Sequence, residues 1–314
     1  MSALSPAEHI WMDGRLVAWD EAKVHVLTQS LHYGWAVYEG IRAHPAVDGT
    51  LAVFRLRDHL ARLVRSARVY RMEIPFSADE LATATTELIA AGGAGPRYVR
   101  PLVYLGYGQM GVALDLSAVR VTLAAWAWED QPARAWRLMT SAWRRNHQDT
   151  IPPLAKATGA YLNSSLAKLA ALGAGYDDAL MLTSAGHLSE GSAANIFVVR
   201  SGVLHTPPVQ DGILPGITRA TVLDLARAAG IPVRERPLAH AEAYTADELF
   251  VTGTAIGVVP VESLDDRPTA LPAPGPVTAA LRDAYLDAVT GKNTPSADWL
   301  TPVPRRHADP SDRP

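Results

Sequence analysis

No cysteine occurs anywhere in the 314 residues. Disulfides, thiolate metal sites and thiol catalysis are therefore excluded. Lysine is scarce too: only Lys23, Lys156, Lys168 and Lys292 stand among 29 basic residues, so arginine is the default cation. There is no charge surplus of either sign large enough to name a partner. The net charge is −3, which calls for neither nucleic acid nor an anionic membrane. No apolar run approaches the ~18 residues of a bilayer-spanning helix. The first residues lack the basic-then-apolar pattern of a secretory signal. These absences lead to the expectation of a soluble, cytoplasmic protein.

What is present is ordinary globular composition, 48% hydrophobic and 19% charged. The length suits two domains. Charge and proline interrupt the strand pattern from Glu129 to Arg134. The expected organisation is a small α/β domain over 1–128, a linker over 129–137, a larger domain over 138–291 and a frayed tail over 292–314. Asp13 and Gly14 between two apolar runs predict a hairpin over 9–18. Leu60, Leu63, Val64 and Ala67 repeat at helical spacing and predict a helix over 58–71, with Arg62, Arg65 and Arg68 on its solvated side. Ser77 and Glu80 form a capping box opening a second helix. Strands are expected at 97–105, 118–128, 136–143, 178–183, 195–199, 247–252 and 256–262, and helices at 161–172, 217–229 and 276–289.

Lys156 lies in an apolar stretch bounded by Pro152, Pro153 and Gly159. A desolvated ammonium can lose its proton and become a nucleophile, whereas a guanidinium stays charged. Such amines form Schiff bases with carbonyls and with pyridoxal phosphate. By position alone, a surface-loop lysine is the stronger reading. Two other motifs fail on context. Gly106, Gly108 and Gly111 match a dinucleotide fingerprint, but a loop and a strand follow where a helix is required. Ser165 and Lys168 match a serine acyl-enzyme pair whose companion elements are missing. The 10 histidines show no paired metal-ligand spacing, and no metal is expected. His32 reads as a hydrogen-bonded packing residue.

The chemistry gathers further on. Glu190 stands 34 residues after Lys156 (190 − 156), followed by Asn195, Phe197, Leu204, Thr206, Leu214, Gly216, Ile217, Thr218 and Arg219, then Gly253, Thr254 and Ala255. Each piece has a use if the ligand is pyridoxal phosphate. The aldehyde needs the amine of Lys156. An acid against the pyridine nitrogen keeps that nitrogen protonated, and Glu190 is the candidate. The helix opening at Ile217 after Gly216 offers free N–H groups and a positive dipole end to a phosphate. Thr218 and Thr254 add hydroxyls, and Gly253 lets backbone come close.

This run resembles the signature of the class IV aminotransferases, the fold-type IV pyridoxal-phosphate enzymes. The stretches Ser30 to Gly34, Glu39 to Arg42, Tyr98 to Leu102 and Met110 to Val112 resemble the branched-chain amino-acid aminotransferases among them. The likeness covers about residues 8–291. It implies a mixed α/β fold, a small α/β domain plus a larger pseudo-barrel domain, working as a homodimer or higher oligomer. It implies that Lys156 is the Schiff-base lysine, that Tyr161 meets the cofactor's phenolic oxygen and that Glu190 pairs with the pyridinium. Arg62, Ile217, Thr218 and Thr254 would hold the phosphate, with Asn195, Leu214, Gly216 and Gly253 completing the cofactor site. Tyr33, Tyr38, Tyr98 and Trp128 would give the substrate pocket apolar walls with polar tips. Gly40, Arg42 and Met110 would also line it. Arg100 and Tyr98 would recognise carboxylates, and Thr254 and Ala255 the α-carboxylate.

The implied activity is ping-pong transfer of an amino group between L-branched-chain amino acids and 2-oxoglutarate. Three departures keep alternatives open: no tyrosine follows Trp128 in the linker, Ile256 and Gly257 follow Ala255, and Trp35 is bulky. The alternatives are a specialised biosynthetic or aromatic aminotransferase, a D-amino-acid or (R)-amine transaminase, an aminodeoxychorismate lyase, or an idle cofactor binder. One prediction holds for all of the enzymes. Borohydride should fix the cofactor to the peptide carrying Lys156, and Lys156→Ala should abolish turnover in a folded protein. A label on Lys23, Lys168 or Lys292 sinks the assignment.

Overall fold

The computed structural model describes residues 5–93, 95–129 and 134–304. The chain divides into two compact units, Met1–Glu129 with Val289–Pro314, and Asp130–Ala288.

The first unit opens with the expected hairpin. Strands β1 (His9–Met12) and β2 (Arg15–Ala18) pair Met12 with Arg15 around Asp13 and Gly14. Next come α1 (Gln29–Tyr33), β3 (Ala36–Tyr38), β4 (Ile41–Pro45), β5 (Leu51–Phe54) and α2 (Leu56–Val69). The unit continues through α3 (Ala78–Ala91), β6 (Arg97–Leu105) and β7 (Val119–Ala127). The sheet runs β5-β4-β6-β7-β1-β2, with β3 also pairing β6. The capping box at α3 forms as expected: Glu80 N–H donates to Ser77 Oγ and Ser77 N–H to Glu80 Oε2.

Helix α2 departs from expectation at one position. Arg65 and Arg68 are exposed, but Arg62 is buried. The reason is a second inward stripe, His59, Arg62 and Ser66, beside the leucines. It is polar because it faces the buried carboxylate of Glu39, which hydrophobic periodicity cannot register.

The second unit comprises β8 (Trp136–Thr140), α4 (Tyr161–Gly173), β9 (Asp178–Leu182), β10 (Leu188–Gly191), β11 (Asn195–Arg200) and β12 (Val203–Thr206). It continues with α5 (Ile217–Ala228), β13 (Val233–Glu235), α6 (His240–Tyr244), β14 (Glu248–Gly253), β15 (Gly257–Leu264), β16 (Arg267–Pro268) and all but the last two residues of α7 (Pro276–Thr290). The sheet order is β10-β9-β8-β15-β14-β11-β12-β13, and an added β10–β11 pairing closes β10, β9, β8, β15, β14 and β11 into a ring. Alternate residues of these strands, among them Leu138, Leu180, Leu188, Ile196, Val251 and Val261, meet in one apolar cluster. That is the side-chain alternation a closed barrel requires. On the other face of β9, Ala167 and Ala171 of α4 pack on Ala179 and Met181. Among the described residues no helix is long and apolar enough to cross a membrane.

Of the expected linker over 129–137, residues 130–133 lie outside the described residues. Trp136 already begins β8, and Arg134 pairs with Asp177. The frayed tail expected from residue 292 is corrected as far as 304. Strand β17 (Leu300–Pro302) pairs β5, and Trp299 packs edge-on against Phe54 at 5.8 Å. One buried aromatic offsets the entropy lost in ordering that polar segment. The end of the expected tail, 305–314, lies outside the described residues.

Helix α7 is capped from a distance. Glu248, buried at the start of β14, accepts from the Val277 N–H at 3.0 Å and the Thr278 N–H at 2.7 Å. Glu248→Ala should cost about 2 kcal/mol by leaving both donors unpaired, read as a lower urea midpoint. An unchanged midpoint would show that these amides are satisfied without it.

Candidate active site

Lys156 sits in a tight segment fixed by its neighbours. Ala155 N–H donates to the Pro152 carbonyl at 3.1 Å, and Ala155 and Ala157 are both buried. The lysine side chain is half-buried, and its Nζ donates to Tyr161 Oη at 2.6 Å. Tyr161 is the first residue of α4, so the start of a packed helix fixes the direction of the lysine amine.

Glu190 lies in β10, directly across the ladder from Asn195 in β11. Its carboxylate is buried. Oε2 accepts from Asn195 Nδ2 at 2.9 Å and from the Leu214 N–H at 3.0 Å. Asn195 Nδ2 also donates to the Leu214 carbonyl at 3.0 Å. Two strands and the segment leading into α5 are thereby tied to one acid. Leu214 joins the site through its backbone. Gly216, the N-cap of α5, admits no side chain: a Cβ there would lie 2.0 Å from Asn195 Oδ1. No side chain caps α5, so its first N–H groups, at Ile217 and Thr218, are a helix terminus of the kind that suits an anion. Gly253 ends β14, and Thr254 and Ala255 form the turn into β15. Beside them Thr252 Oγ1 is buried with no hydrogen-bond partner.

The first unit gathers the other candidates. Arg100 lies over the Tyr38 ring at 4.6 Å and donates to Tyr98 Oη at 3.3 Å. The Tyr98 and Trp128 rings meet at a tilt of 32° with centroids 4.8 Å apart, and Arg42 lies 5.9 Å from the Trp128 ring. Gly40 gives Tyr98 its room, since a Cβ there would lie 1.9 Å from the phenol oxygen. Two buried donors in this aromatic box, Arg100 Nε and Trp128 Nε1, have no partner. Such groups cost free energy unless a ligand satisfies them. Tyr33 accepts from the Gly111 N–H at 2.9 Å, which holds the exposed loop carrying Met110. Trp35 turns its Nε1 to the Tyr70 carbonyl at 3.2 Å. The glycines at 106–111 lie in that loop and open no helix.

Arg62 donates through Nε and Nη2 to Glu39 at 2.7 and 2.8 Å, and His59 meets the same carboxylate at 2.7 Å. Burial pushes the Glu39 carboxyl up, but the Arg62 guanidinium, with help from His59, outweighs burial and holds it well below the usual carboxylate range. His32 is exposed, with its ring against the Val26 carbonyl at 2.8 Å. Ser165 is exposed, and Lys168 Nζ donates to the Asp177 carbonyl at 2.6 Å, so that pair forms no acyl-enzyme site. Among the described residues no three His, Cys, Asp or Glu side chains could hold a metal ion.

Two charged residues to which the sequence assigned no role enter the networks, Glu39 and Arg145. Arg145 Nη2 lies 2.6 Å from Glu190 Oε1. In the chain it is one of two adjacent arginines after Trp143, and nothing nearby separates it from a solvated charge run. Glu39 could be suspected only as an acid flanked by apolar residues.

Comparisons with known proteins agree on one family. Residues 36–264 match Amino-transferase class IV. The chain is 42% identical over 299 residues to a branched-chain-amino-acid aminotransferase of Pseudomonas aeruginosa, covering 94% of this chain and 97% of that one. It is 39% identical to the enzyme of the same name from Escherichia coli K12, covering 95% and 98%. Among solved structures, the branched-chain aminotransferase of Thermoproteus uzoniensis with norvaline aligns with a TM-score of 0.90 and 43% identity, covering 95% of this chain and 100% of that one. The branched-chain amino acid aminotransferase of Thermobaculum terrenum, in its holo form with pyridoxal phosphate, aligns with a TM-score of 0.90 and 36% identity, covering 95% and 99%.

The Glu39 cluster makes a prediction. A depressed folded pKa gives stability that is present above the unfolded value, about 4.3, and lost as pH falls through the folded one. Glu39→Gln should destabilise the protein at pH 7 by on the order of 3 kcal/mol, since the buried Arg62 guanidinium no longer faces the Glu39 charge. The gap from wild type should narrow on acidification below about pH 4, read by urea unfolding across pH. A gap that does not change with pH would remove the ion pair from the account.

Proposed function

The chain belongs to the class IV aminotransferases and is a pyridoxal-phosphate-dependent transaminase; from that premise we propose that it moves the amino group of L-branched-chain amino acids to 2-oxoglutarate. When bound, the cofactor supplies an aldehyde and an electron-accepting ring. The second unit has the groups this requires: an amine held by a phenol at Lys156 and Tyr161, a buried acid at Glu190, and an uncapped helix start at Ile217.

Lys156 Nζ would hold the cofactor through its amine, and the same nitrogen, once free, would carry the substrate's Cα proton. Tyr161 Oη, 2.6 Å from that nitrogen, orients it. Glu190 would face the ring nitrogen and keep it protonated. Asn195, Leu214 and Gly216 position that acid and the phosphate seat, which Thr218, Gly253 and Thr254 complete. Arg62 is proposed as a further phosphate ligand, a role that rests on the family resemblance. The two half-reactions share one pocket, so the first product leaves before the second substrate enters.

The observation that carries the substrate reading is the aromatic box of the first unit. Tyr38, Tyr98 and Trp128 offer an apolar side chain its walls, while Arg100 Nε and Trp128 Nε1 are buried donors with no partner. A pocket built this way accepts leucine by shape and the distal carboxylate of glutamate by charge. Tyr33, Gly40, Arg42 and Met110 are proposed to border it, with Ala255 near the α-carboxylate. The named branched-chain relatives, 39% and 42% identical over nearly the whole chain, support the same reading.

A panel of amino donors against 2-oxoglutarate tests it, with glutamate as the readout. Leucine, isoleucine and valine should exceed phenylalanine, D-alanine and an (R)-amine by roughly tenfold or more in kcat/KM, with parallel double-reciprocal lines. Preference for a D-amino acid or an (R)-amine, or pyruvate released from a chorismate-derived amine, would overturn the substrate assignment.

A further inference from the structure

Arg145 has no place in the roles assigned so far. It follows β8 in the chain, 11 residues before Lys156 (156 − 145). Its side chain is 7% exposed, and Nη2 lies 2.6 Å from Glu190 Oε1. Nη1 donates to Ser164 Oγ of α4 at 3.2 Å, and Nε donates to the Gly212 carbonyl at 3.2 Å. Its own N–H donates to the Leu182 carbonyl of β9 at 2.9 Å. One buried guanidinium therefore joins three segments: the strand carrying Glu190, the helix that Tyr161 begins, and the loop that leads into α5.

That loop is fixed again at each step. Ser189 Oγ donates to the Asp211 carbonyl at 2.7 Å, and the Leu214 N–H donates to Glu190. Close packing surrounds the contact, since a Cβ at Gly212 would lie 3.3 Å from the Asn146 carbonyl and 3.7 Å from Arg145 Cγ. A carboxylate as buried as Glu190 persists as an anion only when it is paired. Arg145 supplies the pairing charge from the side opposite Asn195 and Leu214, because it takes Oε1 while they take Oε2.

We propose that Arg145 is a positioning residue that sets both the orientation and the effective charge of Glu190 toward the cofactor's ring nitrogen. The proposal rests on the reading of Glu190 given above. A guanidinium that shares the carboxylate's charge leaves the ring nitrogen a tempered partner rather than a bare anion. Without that cation, every proton-binding group at the ring becomes more basic. The same side chain links the acid at the ring end to the loop that sets the phosphate seat, so ring and phosphate are held at a fixed separation.

The test uses the holoenzyme with two readouts: cofactor dissociation, and the pH midpoint of the bound cofactor's visible absorbance change. Arg145→Met should weaken cofactor binding roughly tenfold or more and raise the midpoint by about one pH unit. Arg145→Lys keeps the charge and should restore the midpoint to within a few tenths of a unit. Should the methionine variant fail to fold, Arg145→Gln, which keeps hydrogen-bonding capacity, should show the same upward shift. A purely structural role moves affinity but not the midpoint. A wild-type absorbance band whose midpoint neither Met nor Gln moves therefore overturns this proposal alone. A wild-type protein that binds no pyridoxal phosphate overturns the reading of Glu190 and this proposal with it.

Discussion

A buried carboxylate persists in a protein interior only when donors surround it, and the second unit is arranged around one such group. Glu190 accepts from an amide side chain, a backbone N–H and a guanidinium, each brought by a different piece of chain. Removing a partner from a buried charge costs about 3–5 kcal/mol, more than most single contacts supply. The closed ring of strands places Glu190 and Asn195 on adjacent strands. The segment through Leu214 then has one position in which its N–H and carbonyl both find partners. The start of α5 follows from that position, because glycine at 216 lets the backbone lie against Asn195, where a Cβ would fall 2.0 Å from Oδ1. A buried acid and an uncapped helix terminus are thus consequences of one network.

The first unit repeats the principle with opposite emphasis. Glu39 is fully enclosed, and Arg62 and His59 neutralise it from the same helix. Nearby, the aromatic box keeps two donors without partners. One network is satisfied within the chain and lends stability. The other is left incomplete at a free-energy cost that a bound carboxylate would offset. This contrast separates a polar network closed within the chain from one left open more clearly than burial does, since both sets of groups are buried.

Much of this is legible in the chain. The long elements follow from hydrophobic period, the capping box at Ser77 and Glu80, and the turn at Asp13 and Gly14. Lys156 stands out because lysine is so scarce, and Glu190 through the run that follows it. Short pieces escape such reading: β10, β12, β13, β16, α1 and α6 span two to five residues, too few for a period to register. Strand β17 is hidden in a polar tail because its anchor, Trp299, acts through Phe54, far away in sequence.

The sequence by itself determined the mixed α/β class and the family, and singled out Lys156 as the candidate amine, because these depend on local period and on residue types at fixed spacing. Only the tertiary structure decided that Arg62 is buried against Glu39, that Arg145 grips Glu190, and that Arg100 and Trp128 keep donors unsatisfied. An arginine's role is set by which carboxylate lies within hydrogen-bonding reach of it. That distance is fixed by strands and helices far apart in the chain, so no local pattern can encode it.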